Sequence, residues 1–246
     1  MYLVGDIGNT EVKIFLLNKN YILKKKLTIK TNKIKRSGLS NILFPLLSKI
    51  NKLDKILFCS VVPSVYKIIK KFLEYKFKCK CNEIKQLNLT KLIHIYINKK
   101  KVGSDRIVNA IGAVKSYRNL IILDFGTATT FDVVKNKSYL GGVIAPGLRL
   151  SLNTLSNKAR LIPKISFSKP KSIIGKNTVE AVRSGFYWGY IGLINNIIKL
   201  IKKKSKIKFK IIITGGFGHL FTNSIAYPTI LDKELILKGL VNILKN

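Results

Sequence analysis

The stretch Leu120-Ile121-Ile122-Leu123-Asp124-Phe125-Gly126-Thr127-Ala128-Thr129-Thr130 decides the fold, because it combines a strand, a turn and the start of a second strand. Its apolar run ends in Asp124, a turn of small residues follows, and Phe131–Val134 has the composition of a return strand. Two apolar runs joined by a Gly-containing turn are the signal for a β-hairpin. We therefore predict a hairpin with an acid at the end of its first strand.

The beginning of the chain repeats this pattern. Tyr2–Asp6 is an apolar run ending in an acid, Ile7–Thr10 is a Gly/Asn turn, and Val12–Leu17 has the composition of a second strand. Asp6 aligns with Asp124 at an offset of 124 − 6 = 118 residues, close to half of the 246-residue chain. A repeat on this scale indicates two similar lobes. We expect lobes at 1–115 and 116–246, with the two hairpins facing each other across a cleft.

Other segments have the periodicity of strands or helices. Apolar runs predict strands at 55–62 and 210–214. Helical spacing of apolar residues is present at 38–52, 64–76, 102–117 and 231–244. The charge-free stretch Ser184–Ile198 is too short for the roughly 20 residues of a membrane span. We predict a buried helix there, with a subunit interface as one candidate location.

The net charge is strongly positive, with 46 Lys and Arg against 11 Asp and Glu, which gives +35. One interpretation is drift in an AT-rich genome, because Lys, Ile and Asn are abundant and nearly all of the positive charge is Lys. The other is a nucleic-acid or anionic-membrane partner. Nucleic-acid binding favours Arg for bidentate contacts, and here only six Arg occur. We expect no specific nucleic-acid partner and no membrane partner.

The three cysteines do not form a disulfide framework in a chain of this length. Cys79 and Cys81 lack two further ligands at a spacing suited to a metal, and we interpret them as ordinary thiols in a surface segment. The first residues lack the basic region and long apolar core of a signal peptide. These features predict a reducing, cytoplasmic location.

The repeated turn suits the chemistry of a bound phosphate. A Gly turn lets backbone N–H groups converge on an anion, and Thr hydroxyls add further donors. A carboxylate at the strand end would be repelled by phosphate, but it can hold Mg²⁺, usually through water. Four of the six Asp residues lie in or beside such turns. Because Asp is also a good turn former, the composition alone leaves a structural role open.

A series of motifs in this sequence resembles that of the type III pantothenate kinase family. The most specific are Asp6-Ile7-Gly8-Asn9-Thr10, Gly103-Ser104-Asp105-Arg106, Asp124-Phe125-Gly126-Thr127-Ala128-Thr129 and Gly141-Gly142-Val143-Ile144-Ala145-Pro146-Gly147. Segments at 60–63, 174–178, 214–216 and 232–240 follow in the family's order. The resemblance runs nearly end to end.

The resemblance implies an α/β fold of two ribonuclease-H-like lobes of the acetate-and-sugar-kinase/Hsp70/actin type, with mixed sheets flanked by helices. It implies an ATP-dependent kinase that transfers the γ-phosphate to the primary hydroxyl of pantothenate, giving 4'-phosphopantothenate in the first step of coenzyme A biosynthesis. Mg²⁺, a monovalent cation (K⁺ or NH₄⁺) and a homodimer are further implications.

Residue roles follow from the matched motifs. The resemblance implies that Asp105 is the general base and that Asp124 holds the monovalent cation. The implied ATP-binding residues are Asp6 (near Mg²⁺), Ile7, Gly8, Asn9, Thr10, Glu11, Val12, Lys13, Thr127, Gly215 and Gly216. The implied pantothenate-binding residues are Tyr96, Gly103, Ser104, Asp105, Arg106 and Thr178. A competing interpretation of Asp105 is the N-cap of the following helix.

Three positions depart from the family pattern. Ser104 stands where Ala is usual, Lys99 where Pro is common, and Lys158 where Thr is more usual. We expect Lys99 to crowd the pocket entrance with charge and Ser104 to be tolerated. None of these changes removes a catalytic group, so we predict an active enzyme. Two alternatives stay open: a non-catalytic regulatory relative of the same fold, and a basic nucleic-acid-binding protein.

Overall fold

The computed structural model describes residues 1–246, which form two compact units. The first unit comprises residues 1–116 together with 234–246, and the second comprises residues 117–233. This division differs from two contiguous lobes, because the C-terminal helix belongs to the first unit. This helix belongs to the first unit because its buried side chains, among them Leu235, Leu240 and Ile243, pack against one helix and two strands of that unit.

The first unit is built on a five-stranded sheet in the order β3-β2-β1-β4-β5. β1 pairs antiparallel with β2 and parallel with β4, β2 pairs antiparallel with β3, and β4 pairs parallel with β5. The five strands are β1 (Tyr2–Ile7), β2 (Glu11–Leu17), β3 (Leu23–Lys30), β4 (Lys55–Ser60) and β5 (Cys81–Glu83), and the two-residue strand β6 (His94–Ile95) lies outside this sheet. The edge strand β3 is rich in exposed Lys, which disfavours pairing with another chain.

Four α-helices accompany this sheet: α1 (Leu39–Leu47), α2 (Pro63–Phe77), α3 (Ser104–Ala113) and α6 (Leu235–Leu244). Pro63 begins α2, where its fixed φ and missing N–H suit the first helical position. α3 and α6 approach very closely at Gly239, where a Cβ would lie only 2.0 Å from the carbonyl oxygen of Val108. The helix that begins with Ser104 is therefore held against α6 by a glycine contact.

The second unit repeats the sheet of the first. Its strands are β7 (Leu120–Phe125), β8 (Ala128–Lys135), β9 (Ser138–Pro146), β10 (Lys210–Gly215) and β11 (Thr229–Leu231). They run in the order β11-β10-β7-β8-β9, with β7, β8 and β9 antiparallel and β7, β10 and β11 parallel. This is the order of β5-β4-β1-β2-β3, so the internal repeat predicted from the two hairpins is confirmed.

Two helices belong to the second unit, α4 (Leu148–Lys158) and the 28-residue α5 (Thr178–Ser205). α5 begins at a side-chain cap, because Asn177 accepts a hydrogen bond from the backbone N–H of Glu180. Tyr187 and Ile194 bury one face of α5, but Gly185 and Gly189 face open space. The prediction of a buried helix over 184–198 is therefore correct for one face only. No helix is long and apolar enough to cross a membrane.

One expectation about a single residue is wrong. Cys81 is not in a surface segment, because it lies in β5 and is fully buried against β4. This outcome is not visible in local sequence, since it depends on the packing of β5 against β4. The Lys99 ammonium donates a hydrogen bond of 2.6 Å to the backbone carbonyl of Leu87, and the expected crowding of a pocket entrance by Lys99 stays a prediction.

Candidate active site

Asp6 lies near the end of β1 with a cross-strand neighbour on each side. Lys13 of β2 is its antiparallel partner and Cys59 of β4 is its parallel partner. Burial, and next the charge of Asp105, raise the pKa of Asp6 to about 6, while Lys13 and a hydrogen bond from Cys59 oppose that rise. The fold therefore places Asp6 and Asp105 close enough for their charges to interact.

Cys59 of β4 contacts Asp6 from the neighbouring strand. Its thiol lies 3.4 Å from Oδ1 of Asp6 and 3.7 Å from the backbone carbonyl of Gly5. Burial, and next the charge of Asp6, raise the pKa of the Cys59 thiol well above its ordinary value. Cys59 is therefore a neutral donor to Asp6 and not a nucleophile.

Asp105 lies in the first turn of α3, at the second helical residue. The N-cap is Gly103, so the interpretation of Asp105 as the N-cap is wrong. Its Oδ1 accepts a hydrogen bond of 2.9 Å from the backbone N–H of Arg106. A Cβ on Gly103 would lie 2.4 Å from the same oxygen, so only glycine leaves room for this carboxylate position.

Ser104 has no exposed surface. Its hydroxyl donates a hydrogen bond of 2.8 Å to the backbone carbonyl of Ser60 and accepts one of 2.7 Å from the Ser60 N–H. The expected contact between Ser104 and pantothenate is therefore not available to its side chain in this structure. This contact is not predictable from local sequence, because residues 60 and 104 are far apart in the chain.

Thr31, which follows β3, donates two hydrogen bonds to the backbone of the turn between β1 and β2. Its hydroxyl donates a hydrogen bond of 2.7 Å to the carbonyl of Gly8, and its N–H donates one of 3.0 Å to the carbonyl of Thr10. Asn9 and Thr10 are exposed. Because two carbonyls of the turn are engaged by Thr31, they are not available to repel an anion at its exposed side.

Asp124 occupies the corresponding position in the second unit, near the end of β7. Its strand neighbours are Thr130 of β8 and Thr214 of β10, in place of the Lys and Cys that flank Asp6. Gly215 packs directly against it, because a Cβ there would lie 2.5 Å from Oδ1 of Asp124. Gly215 also has φ +86°, a conformation that favours glycine.

The second turn is tighter than the first. The N–H of Gly126 bonds the carbonyl of Ala128 at 3.1 Å, and Thr127 is exposed. A Cβ on Gly147, the N-cap of α4, would lie 1.9 Å from the carbonyl oxygen of Thr127. Gly216 joins the same edge through a hydrogen bond of 3.1 Å from its N–H to the carbonyl of Phe125. The expected residues 124, 126, 127, 215 and 216 thus share the carboxyl ends of β7 and β10.

The structure brings only part of the predicted site into contact. Tyr96 follows β6 and is 76% exposed, and Thr178 is exposed at the start of α5. The buried residues that sequence reasoning missed are Cys59 and Thr31. Cys59 could have been found only from the register between β1 and β4, and Thr31 lies outside every motif quoted above.

The acids of the site occur singly or as a pair, and no group of three or more His, Cys, Asp or Glu residues is placed to hold a metal. A cation bound here would therefore keep water or substrate oxygens among its ligands, as Mg²⁺ commonly does. This arrangement suits a metal that arrives with a polyphosphate better than a permanently bound structural ion.

The fold defines the class of protein. Solved structures with this architecture include the inorganic polyphosphate/ATP-glucomannokinase of Arthrobacter sp. strain KM, which is 10% identical, with 100% of this chain and 99% of that chain covered and a TM-score of 0.51. A Baf family protein of Campylobacter jejuni, assigned there as a transcriptional activator, is 22% identical with a TM-score of 0.63, covering 99% and 97% of the two chains. The acetate-and-sugar-kinase/Hsp70/actin fold is confirmed.

Within that class, residues 2–200 match the family model of type III pantothenate kinase. A type III pantothenate kinase of Pelagibacter ubique strain HTCC1062 is 54% identical over 241 residues, which cover 98% of this chain and 97% of that protein. The chain belongs to the type III pantothenate kinase family, and the resemblance carried by its motifs is confirmed.

Proposed function

We propose that this protein phosphorylates pantothenate, transferring the γ-phosphoryl group of ATP to its primary hydroxyl to give 4'-phosphopantothenate, the first step of coenzyme A biosynthesis. Membership of the family supports the reaction and its substrates. The single structural observation that carries the proposal is that Asp6, hydrogen-bonded by Cys59 of β4, lies close enough to Asp105 for the two charges to interact. A kinase needs one carboxylate for the acceptor alcohol and one for the metal that accompanies the phosphates.

Asp105 is the proposed base toward the pantothenate hydroxyl. In a loose phosphoryl-transfer transition state the alcohol proton leaves late, so the carboxylate mainly orients the hydroxyl and accepts the proton as the phosphoryl group transfers. The hydrogen bond from the Arg106 N–H holds Oδ1 of Asp105 in place. Gly103 and Arg106 are proposed to line the pantothenate side of the site, with Tyr96 and Thr178 as further substrate contacts.

The residues present fit a divalent cation at Asp6. Its carboxylate is half-buried beside a second carboxylate, which raises its pKa, and a cation would relieve that unfavourable charge. Asp6 would hold Mg²⁺, chiefly through water, and the ion would supply charge neutralisation to the phosphate oxygens. Lys13, the strand partner of Asp6, adds a fixed positive charge on the same edge.

The two glycine turns are proposed to bind ATP. The turn from Gly8 to Glu11, extending to Val12 of β2, would take the phosphates through backbone N–H groups. Thr127 would add a hydroxyl donor, and Gly215 with Gly216 would contact the adenosine. The proposal requires both turns to reach one ATP molecule, and a crystal structure with pantothenate and a non-hydrolysable nucleotide tests that requirement.

The monovalent cation is proposed to lie at Asp124. K⁺ and NH₄⁺ take oxygen ligands, and Asp124 offers a carboxylate between two Thr residues on the neighbouring strands. Gly215 removes any side chain that would fill the space beside Oδ1. The residues therefore fit a cation of single charge, which needs fewer carboxylates than a divalent one.

A homodimer is proposed on the solvent side of α5. Gly185, Gly189 and Gly192 have no atom in the space that a Cβ would fill, and Trp188 between them is 42% exposed. Light scattering after size exclusion tests this proposal, with a monomer of 27.8 kDa as the contrary result. A cytoplasmic location also stays a prediction.

A direct assay tests the function. The protein is incubated with pantothenate, ATP, Mg²⁺ and K⁺, and 4'-phosphopantothenate is detected by mass spectrometry. The absence of product at saturating substrates would favour a non-catalytic regulatory relative. Tight DNA or RNA binding that persists at physiological salt would instead favour a nucleic-acid role, because purely electrostatic contacts weaken steeply with salt.

A further inference from the structure

At its carboxyl end, β4 extends beyond the neighbouring strand β5 as far as Ser60. β5 pairs with β4 only as far as Glu83 opposite Phe58. The N–H of Val61 bonds β1 through the carbonyl of Ile7, so the N–H and carbonyl of the preceding residue, Ser60, point to the opposite side. At that side β5 offers Ser60 no further strand partner.

Ser104 takes the place of that missing strand partner. Its single hydroxyl accepts from the Ser60 N–H at 2.7 Å and donates to the Ser60 carbonyl at 2.8 Å. Both distances are those of good hydrogen bonds, and Ser104 is fully buried. Alanine, the usual residue of the family here, could make neither bond.

Glu83 borders the same contact. Its Oε2 accepts a hydrogen bond of 2.7 Å from the Lys85 N–H, and its Oε1 is buried without a hydrogen bond. Burial raises the pKa of Glu83, and the hydrogen bond from the Lys85 N–H is the first of the groups that oppose this rise. The contact between Ser60 and Ser104 is therefore part of a buried polar cluster.

The residues of this cluster are chain neighbours of groups at both carboxylates of the site. Cys59, next to Ser60 in β4, holds Asp6 through its thiol. Ser104 precedes Asp105 in α3. Because Gly103 has no Cβ, the space beside it is open to Oδ1 of Asp105. Two consecutive residues of β4 thus contact one acid directly and the other through its chain neighbour.

We propose that Ser104 is a positioning residue for the phosphoryl-transfer step, which ties the first turn of α3 to β4 and so fixes Asp105 relative to Asp6. It does not contact pantothenate through its side chain. The inference rests on the proposed function, because it assigns Ser104 a role in the action of Asp105. In this chain the orientation of the base depends on one buried hydroxyl.

A double-mutant cycle tests this role. The variants are Ser104→Ala, Asp105→Asn and the two combined, with turnover measured by mass-spectrometric detection of product so that slow rates stay measurable. We expect Ser104→Ala to lower kcat by about tenfold in the unmodified protein, and by less than about twofold in the Asp105→Asn background, because residues acting through one another are not additive. The KM for ATP should change by less than about twofold.

Tyr66→Phe is the matched control. Tyr66 also donates a buried hydroxyl to a backbone carbonyl of the first unit, that of Cys81, at 3.0 Å. Both variants should lower the melting temperature, but only Ser104→Ala should lower kcat. Because alanine is smaller than serine and favours a helix, Ser104→Ala is expected to fold.

Several results would overturn the proposal. These are an unchanged kcat in Ser104→Ala, an equal loss of kcat in both backgrounds, or an equal loss in Tyr66→Phe. Failure of the proposed function gives a different result, because the unmodified protein would then make no 4'-phosphopantothenate. Full activity of Asp105→Asn would remove Asp105 as the base, and with it the role of Ser104.

Discussion

The two hairpins share one topology but surround their acids with different chemistry. Asp6 is flanked by Lys13 and Cys59, and its charge interacts with that of Asp105. Asp124 is flanked by two Thr residues, and the backbone of Gly215 packs against it. A duplicated strand-turn-strand therefore fixes where an acid lies, while the neighbouring strands set the charge and polarity around it.

The turns differ in the same way. The first pairs Ile7 with Val12 and is held by Thr31, and the second pairs Phe125 with Thr129 and is held by Gly147. One turn is supported by hydrogen bonds and the other by close backbone packing. Substitutions at the first turn should consequently act by removing hydrogen bonds, and those at the second by steric crowding.

The largest effect is expected at Asp105, the acid of α3 whose charge interacts with that of Asp6. Asp105→Asn should lower kcat by at least about a hundredfold, because general-base groups contribute about that much or more. Binding of ATP should survive, since Asp105 is assigned to the acceptor alcohol. Steady-state kinetics and nucleotide titration measure the two quantities, and normal turnover would remove Asp105 from the mechanism.

Crowding Asp124 should have the next effect. Gly215→Ala places a Cβ 2.5 Å from Oδ1 of Asp124 in a residue with φ +86°. We expect a loss of about 2 kcal/mol in unfolding free energy, together with a weakened response of turnover to K⁺. Gly38→Ala is the control, because Gly38 has φ +83° in open space and separates backbone strain from crowding. Equal behaviour of the two variants would contradict the role of the close contact.

Asp6→Asn should uncouple stability from activity. Because the folded pKa of Asp6 is raised to about 6, its ionised form destabilises the ligand-free fold, and stability falls as the pH rises from the unfolded value toward and through 6. The variant should gain stability over the unmodified protein by about 2 kcal/mol at pH 7 and less near pH 4, while losing activity with Mg²⁺. Denaturant unfolding at several pH values measures the difference.

Asp54→Asn is the control of opposite sign. Asp54 binds the N-terminal ammonium at 2.6 Å, and this hydrogen bond lowers its pKa. Its ionised form therefore stabilises the fold above the unfolded pKa, and its removal should lower stability at pH 7. A gain of stability in both variants would show that net charge, and not the site of Asp6, governs the effect.

The smallest effect is expected at the support of the first turn. Thr31→Val keeps the shape of the side chain but leaves the carbonyl of Gly8 without its hydrogen bond, at a cost of about 1 kcal/mol. The KM for ATP should rise by a few fold, with little change in kcat. Thr28→Val, at an exposed position of β3, provides the control, and an equal rise there would exclude a specific role for Thr31.

Local pattern predicted much of this molecule. The two hairpins, their acids and the strands at 55–62 and 210–214 follow from apolar runs and turn residues, and the repeat follows from their spacing. Helix limits were less accurate, because α1 ends at Leu47, well before the predicted limit at 52. The motif series identified the family before any contact was known.

Long-range contacts were not predictable from the same patterns. The pairing of Cys59 with Asp6 depends on the register of β1 and β4, which are separated in the chain by two strands and a helix, and the bonds of Ser104 depend on where β5 stops. The return of α6 to the first unit depends on the packing of Gly239 against Val108. A sequence pattern specifies which face of an element is apolar, but not which distant residue it meets.

The position of α6 also bears on how the molecule is made. Residues 235–244, which pack against the helix that carries Asp105, leave the ribosome only after the entire second unit has been translated. Since domains generally fold as units during synthesis, the first unit cannot complete its fold until nearly the whole chain has been made, although most of its residues are translated first. A premature stop before Glu234 would thus yield a polypeptide whose base-bearing half stays open, even though every catalytic codon had been read.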